Sequence, residues 1–147
     1  MKTFLSVFIF SLLFLLVFPT RAEPILTKSP PGSETELLDR FTAATKAKDE
    51  ADIRSLICWD GPVVKDQINR DISDLLSTQR IRKIYMHPLH PREHFTNILD
   101  GTLYYPNIPI IGWLDVKRGL GVSAVRFRYG KKADAFYISC DAAQKLP

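Results

Sequence analysis

All three histidines of the chain fall in one stretch, His87-Pro88-Leu89-His90-Pro91-Arg92-Glu93-His94. Imidazole binds zinc or copper, and Glu93 could add a carboxylate ligand. The spacing matches no standard metal motif, and Pro88 and Pro91 prevent the helix that would stack His90 and His94 on one face. The stretch therefore reads as an exposed, proline-stiffened polar loop, with His87, His90 and His94 kept only as metal candidates. No cofactor is called for.

Acid–base chemistry has a second candidate. Asp115 interrupts an otherwise apolar run, Gly112-Trp113-Leu114-Asp115-Val116, and Arg126 and Arg128 follow on the next extended segment. A general base needs a titratable group tuned by burial or a partner. Paired with Arg126 and supported by Tyr137, Asp115 could orient or deprotonate a polar ligand. The same residues also suit a cross-strand salt bridge on a solvated face, worth ~0–1 kcal/mol. Trp59, Tyr104 and Trp113 are the aromatic residues assigned to ligand contact, although a Trp at the position of Trp59 better suits a core anchor of helix to sheet, because large aromatics mostly bury. Arg80, Arg82 and Lys83 form a basic run that reads as a solvated face or as protection of an edge strand. Walker-type loops, Gly-x-Ser-x-Gly, His-Glu-x-x-His and the dinucleotide fingerprint are absent.

The elements that must position these residues change period halfway along the chain. Ser33-Glu34-Thr35-Glu36 forms a capping-box pattern, and Leu37, Leu38, Phe41 and Ala44 continue it as a helix to about Ala47. Asp49 can cap a shorter helix that stops at Trp59-Asp60-Gly61. Pro62 suits the first turn of a third helix, and Val64, Ile68, Ile72, Leu75 and Leu76 carry it to Ser77. Strand patterns then cover 81–86, 101–105, 110–117, 122–129 and 134–140, with Gly-containing loops that argue for antiparallel hairpins. A two-residue turn at Lys131-Lys132 would place Phe127 opposite Phe136 and Val125 opposite Ile138. The expected fold is α+β: three N-terminal helices on a curved, mostly antiparallel sheet of four or five strands.

Residues 41–61, FTAATKAKDEADIRSLICWDG, carry a family resemblance. A helix ends in a Lys/Asp turn, a short second helix follows, and Trp-Asp-Gly closes it. With the third helix and the meander, the chain resembles the nuclear-transport-factor-like (SnoaL-like, cystatin-like) superfamily, over most of residues 34–141. The resemblance implies a cone of helices cupped by a curved sheet. Family members often carry an early strand between the second and third helices, which the segment from Pro62 is expected to skip. Dehydratases, isomerases, hydrolases and non-catalytic binding domains share this fold, so it does not select a function. No matched set of the family's catalytic residues is present.

The N-terminus bears on the compartment. Lys2 precedes an apolar run from Phe4 to Phe18, Pro19 breaks it, and Thr20 and Ala22 are small residues before a cut after Ala22. This is the pattern of a secretory signal peptide over residues 1–22. A membrane anchor would want ~20 apolar residues, and this run is shorter. Residues 23–33 then read as a flexible lead-in, and 34–147 as a single domain. The chain carries 20 Lys and Arg against 16 Asp and Glu. Losing Lys2 and Arg21 leaves 18 against 16, a net of +2, so nothing calls for a nucleic-acid partner. Outside the cytoplasm, Cys58 and Cys140 can form a disulfide, or remain two buried thiols. These observations lead to an exported, periplasmic or extracellular, domain without a stable membrane span. It would bind a small apolar molecule, or another envelope or extracellular protein, through an apolar pocket between helices and sheet. A cofactor-free lyase, isomerase or hydrolase using Asp115, Arg126 and Tyr137 stands as the alternative, and a pocketless envelope-associated protein as a third class.

Overall fold

Each of the first two helices begins at a side chain that satisfies a free backbone N–H. In the computed structural model, which describes residues 28–119 and 122–147, helix α1 (Glu34–Ala47) starts after Ser33. The Ser33 Oγ accepts from the Glu36 amide at 3.1 Å, and the Glu36 carboxylate accepts from the Gly32 amide at 2.8 Å. Helix α2 (Glu50–Ser55) starts after Asp49, whose Oδ1 accepts from the Asp52 amide at 2.9 Å. Helix α3 (Lys65–Ser77) begins later than its Pro62 signal predicts and has no side-chain cap. The reason is that Pro62–Val64 is extended and paired. The Pro62 carbonyl accepts from the Ala143 amide, the Val64 amide donates to Asp141, and Val63 bridges Ala142. A strand-like link between the second and third helices, expected to be skipped, is therefore present.

Among the described residues seven strands follow: β1 (Ile81–Pro88), β2 (Asn97–Leu99), β3 (Thr102–Pro106), β4 (Ile110–Arg118), β5 (Val122–Lys132), β6 (Ala135–Ile138) and β7 (Asp141–Lys145). They form two sheets, a curled antiparallel one ordered β1-β4-β5-β6 and a smaller one ordered β2-β3-β7. The fold is thus α+β, with two short strands, β2 and β7, beyond those expected. Asp100 and Gly101 both take positive φ, 49° and 69°, in the tight turn that joins β2 to β3.

Alternation along the strands decides which face meets the helices. Leu114, Val116, Phe127, Tyr129 and Ile138 point to one side and are at most 2% exposed. They pack with Leu37, Phe41, Ile53, Leu56, Ile68, Ile72 and Leu75 from the three helices into one core. Phe41 meets Phe127 edge-on, with ring centroids 5.4 Å apart. Among the described residues, these side chains pack together in the layer between helices and large sheet, where an apolar pocket is expected.

The last hairpin keeps the expected faces but not the expected register. Lys132 pairs with Ala135 and Tyr129 with Ile138, so the turn is Ala133-Asp134, and Phe136 faces Lys131 rather than Phe127. The other edge of β6 sets this register. Ile138 pairs in parallel with Ile57, exchanging bonds with Leu56 and Cys58, and the Phe136 amide donates to Pro31. The shift moves whole pairs, so the apolar face survives. The same contact ties down the end of the segment read as a flexible lead-in. Pro31 is buried, Ser29 accepts from Arg40, and Lys28 pairs with Asp52. The export pattern and the first residues of the lead-in lie outside the described residues. Among the described residues no helix is long and apolar enough to cross a membrane.

Candidate functional site

The face of the large sheet opposite the core carries the residues singled out for chemistry. Register places Asp115 on β4 between Tyr85 on β1 and Arg126 on β5, and Trp113 between His87 and Arg128. Asp115 is 4% exposed, so the cross-strand salt bridge with Arg126 forms, but on a buried acid rather than on a solvated face. Arg126 grips it with a fork: Nε donates to Oδ1 at 2.8 Å and Nη2 to Oδ2 at 3.2 Å. His87 Nε2 lies 3.2 Å from the same Oδ2, while its Nδ1 lies 3.1 Å from the Pro88 carbonyl. The Arg126 guanidinium lies 4.9 Å from the Trp113 ring centroid, and the hydrogen bond to Asp115 holds its pKa above the usual arginine value.

The network extends outward from Trp113. Its indole N–H donates to Glu93 Oε2 at 2.8 Å, and this bond holds the Glu93 carboxyl below the usual range. Phe95 meets Trp113 edge-on at 5.7 Å and lies beneath the Arg128 guanidinium, which donates to Asp141 Oδ1 at 2.5 Å. Two open grooves flank this segment and share His94, Phe95 and Thr96. One, of about 530 Å³, is completed by Leu89, Glu93 and residues 106–110. The other, of about 550 Å³, is completed by Gln67, Asn97, Leu99, Tyr104, Arg128 and Asp141.

The structure joins some of the expected site residues and separates others. Asp115, Arg126, His87 and Trp113 form one connected cluster, and Tyr104 lines a groove. Tyr137 pairs with Gly130, four residues along β5 from Arg126, or about 13 Å at strand spacing, so it takes no part in the Asp115 cluster. Trp59 also stands apart. It packs against the core and donates its indole N–H to the Arg54 carbonyl at 3.0 Å. His90 and His94 sit exposed on the loop, and among the described residues no group of three or more His, Cys, Asp or Glu is placed to hold a metal ion. Phe95 and Asp141 went unread in the sequence because each gains its meaning from a strand distant in the chain.

Cys58 and Cys140 are both buried and carry free thiols. The Asn107 side chain links their backbones, donating to the Cys58 carbonyl and accepting from the Cys140 amide. Burial, reinforced by neighbouring Cys58, pushes the Cys140 thiol up to about 12. Only the thiolate attacks alkylating agents. In the reduced folded protein, Cys140 should therefore react with iodoacetamide at pH 8 on the order of a thousandfold slower than after unfolding, followed by mass spectrometry. Equal rates in both states would show that Cys140 is accessible.

No family model matches the chain, and neither a curated protein nor a solved structure matches it.

Proposed function

We propose that this protein is an exported, non-catalytic binding module whose ligand lies in the grooves around Phe95, rather than in a pocket between helices and sheet. The observation that carries this reading is the pair of grooves of about 530 and 550 Å³ sharing His94, Phe95 and Thr96. Their size lies within the ordinary range of small-molecule sites, roughly 300–1,000 Å³. Leu89, Phe95, Pro106, Ile108 and Pro109 offer apolar contact, and Asn107, Thr96 and Gln67 offer hydrogen bonds.

Proton transfer is less well supported than binding. Both Asp115 oxygens accept from Arg126, and both His87 nitrogens face acceptors inside the protein. Arg126 and His87 thereby face most of the acceptor sites of the Asp115 carboxylate, which leaves little of it for a ligand's proton. Export rests on the N-terminal pattern of Lys2, the apolar run and Thr20-Arg21-Ala22, and the Cys58–Cys140 bridge belongs to the same reading. In the chain-entropy picture, a bridge closing 82 residues would add ~4–5 kcal/mol of stability.

An NMR screen of a mixed apolar and polar fragment panel tests the reading. Amide shifts should cluster at His94–Thr96 and Tyr104, and Phe95→Ala should weaken the best fragment at least about tenfold, as expected for loss of a central aromatic anchor. Hits confined to other surfaces would overturn it, as would chemical conversion of a bound fragment.

A further inference from the structure

Strands β1, β4 and β5 lie side by side and contain one acid, Asp115, against eight lysines and arginines. The imbalance is greatest at the end of the sheet formed by Ile81 and Arg118, away from the grooves. Lys83 on β1 pairs directly with Lys117 on β4, and both side chains are exposed. Their ammonium nitrogens lie 5.1 and 5.4 Å from the centroid of one ring, Tyr85. Arg126 reaches the same area from β5 with half of its side chain exposed. Arg80 and Arg82, at the start of β1, are exposed as well. The one acid is buried and already committed to Arg126 and His87.

Folding alone does not account for this arrangement. Like charges directly opposite in an antiparallel pair are destabilising. Protection of a sheet edge explains Lys83 and Arg82, because β1 is an edge strand. It does not explain Lys117, which lies on the second strand of the order. Cations held close together over an aromatic ring instead form a surface complementary to a row of negative charges.

We propose that the Lys83–Tyr85–Lys117–Arg126 surface binds an acidic polysaccharide. The Tyr85 ring already carries two ammonium groups and Trp113 carries Arg126, so neither presents the open aromatic platform on which nucleic-acid bases stack. Among the described residues, the large exposed apolar side chains, Ile98, Leu99, Ile111 and Leu146, lie on β2, at the far end of β4 or near the C-terminus. None of them is placed to enter a bilayer held against this surface. A polymer bearing carboxylates or sulfates along a sugar backbone needs neither feature. It is recognised by charge and hydrogen bonds alone. This surface is separate from the grooves around Phe95, and the proposal stands whether or not those bind a ligand.

Calorimetry of the purified protein with heparin, a sulfated polysaccharide, tests it. Binding is expected, and it should weaken at least about tenfold between roughly 50 and 200 mM salt, as contacts that release counterions do. The double variant Lys83→Ala/Lys117→Ala should lose at least about tenfold in affinity, by the same charge argument. A control pair, Lys46→Ala/Lys65→Ala on the helices, removes the same charge and should bind as the parent does. Thermal melts of both double variants show whether they fold. Three results would overturn the proposal: no heparin binding, an equal loss in the control pair, or tighter binding to a single-stranded oligonucleotide or phosphatidylglycerol vesicles than to heparin. Should Lys83→Ala/Lys117→Ala fail to fold, Lys117→Gln alone is read in the same assay, and unchanged affinity there would overturn it too.

Discussion

Phe41→Ala should lower the stability of the domain by about 3–5 kcal/mol, enough to leave much of it unfolded at moderate temperature. Phe41 is fully buried at the centre of the core and meets Phe127 edge-on. Its removal costs the transfer energy of the ring and the cavity left behind, and it also removes an aromatic pair worth about 0.5–1.5 kcal/mol beyond burial. The core there joins α1 to β5, so the walls of the cavity belong to two rigid elements that collapse poorly. Urea unfolding followed by circular dichroism measures the change. A loss below about 1 kcal/mol would show that the helices are not packed on the sheet through Phe41.

Gly130→Ala should be nearly as damaging, although it adds only one methyl group. Gly130 is buried on β5, and a Cβ there would collide with the Pro109 carbonyl oxygen and crowd Ile108. The obstacle is backbone, which cannot rotate away as a side-chain tip can. Overpacking a well-packed site costs about 1–3 kcal/mol and sometimes more, and a backbone clash belongs at the upper end. The effect has a functional reading as well. Pro109 and Ile108 line one of the grooves beside Phe95, so the strain enters the wall of the proposed site. The same urea titration measures stability, and amide shifts at residues 106–110 show whether the groove wall moves. Wild-type stability would mean that the 106–110 connection does not lie against β5.

Part of this arrangement was legible in the sequence for local reasons. Ser33 and Asp49 announce their helices because a cap is satisfied within three residues. The heptad-like spacing of Ile68, Ile72 and Leu75 finds its buried face through the helical repeat alone. Asp115 was singled out because an acid inside an apolar strand needs a partner, and Arg126 is that partner at 2.8 Å. The less legible parts depend on contacts across the chain. A turn that fits the local sequence places Tyr137 beside Arg126, but Ile57 and Pro31 hold β6 in a register in which Tyr137 meets Gly130, four residues along β5. β7 carries Asp141-Ala142-Ala143-Gln144-Lys145, which has little strand character until Pro62–Val64 and β3 pair with its two edges.

The chemistry follows the same division. By itself the sequence determined a helical first half, an antiparallel second half, Asp115 as an acid in need of a partner with Arg126 as a candidate, and the N-terminal pattern from which export is proposed. Each rests on residues close together in the chain or on strict alternation along a strand. Only the tertiary structure decided that Asp115 is buried rather than solvated, and that Phe95 lies between Trp113 and Arg128. It also brought Lys83 of the basic run directly opposite Lys117 on β4. Those outcomes depend on which strands become neighbours, and strand neighbourhood is set by packing energy summed over the whole core, which no single segment encodes.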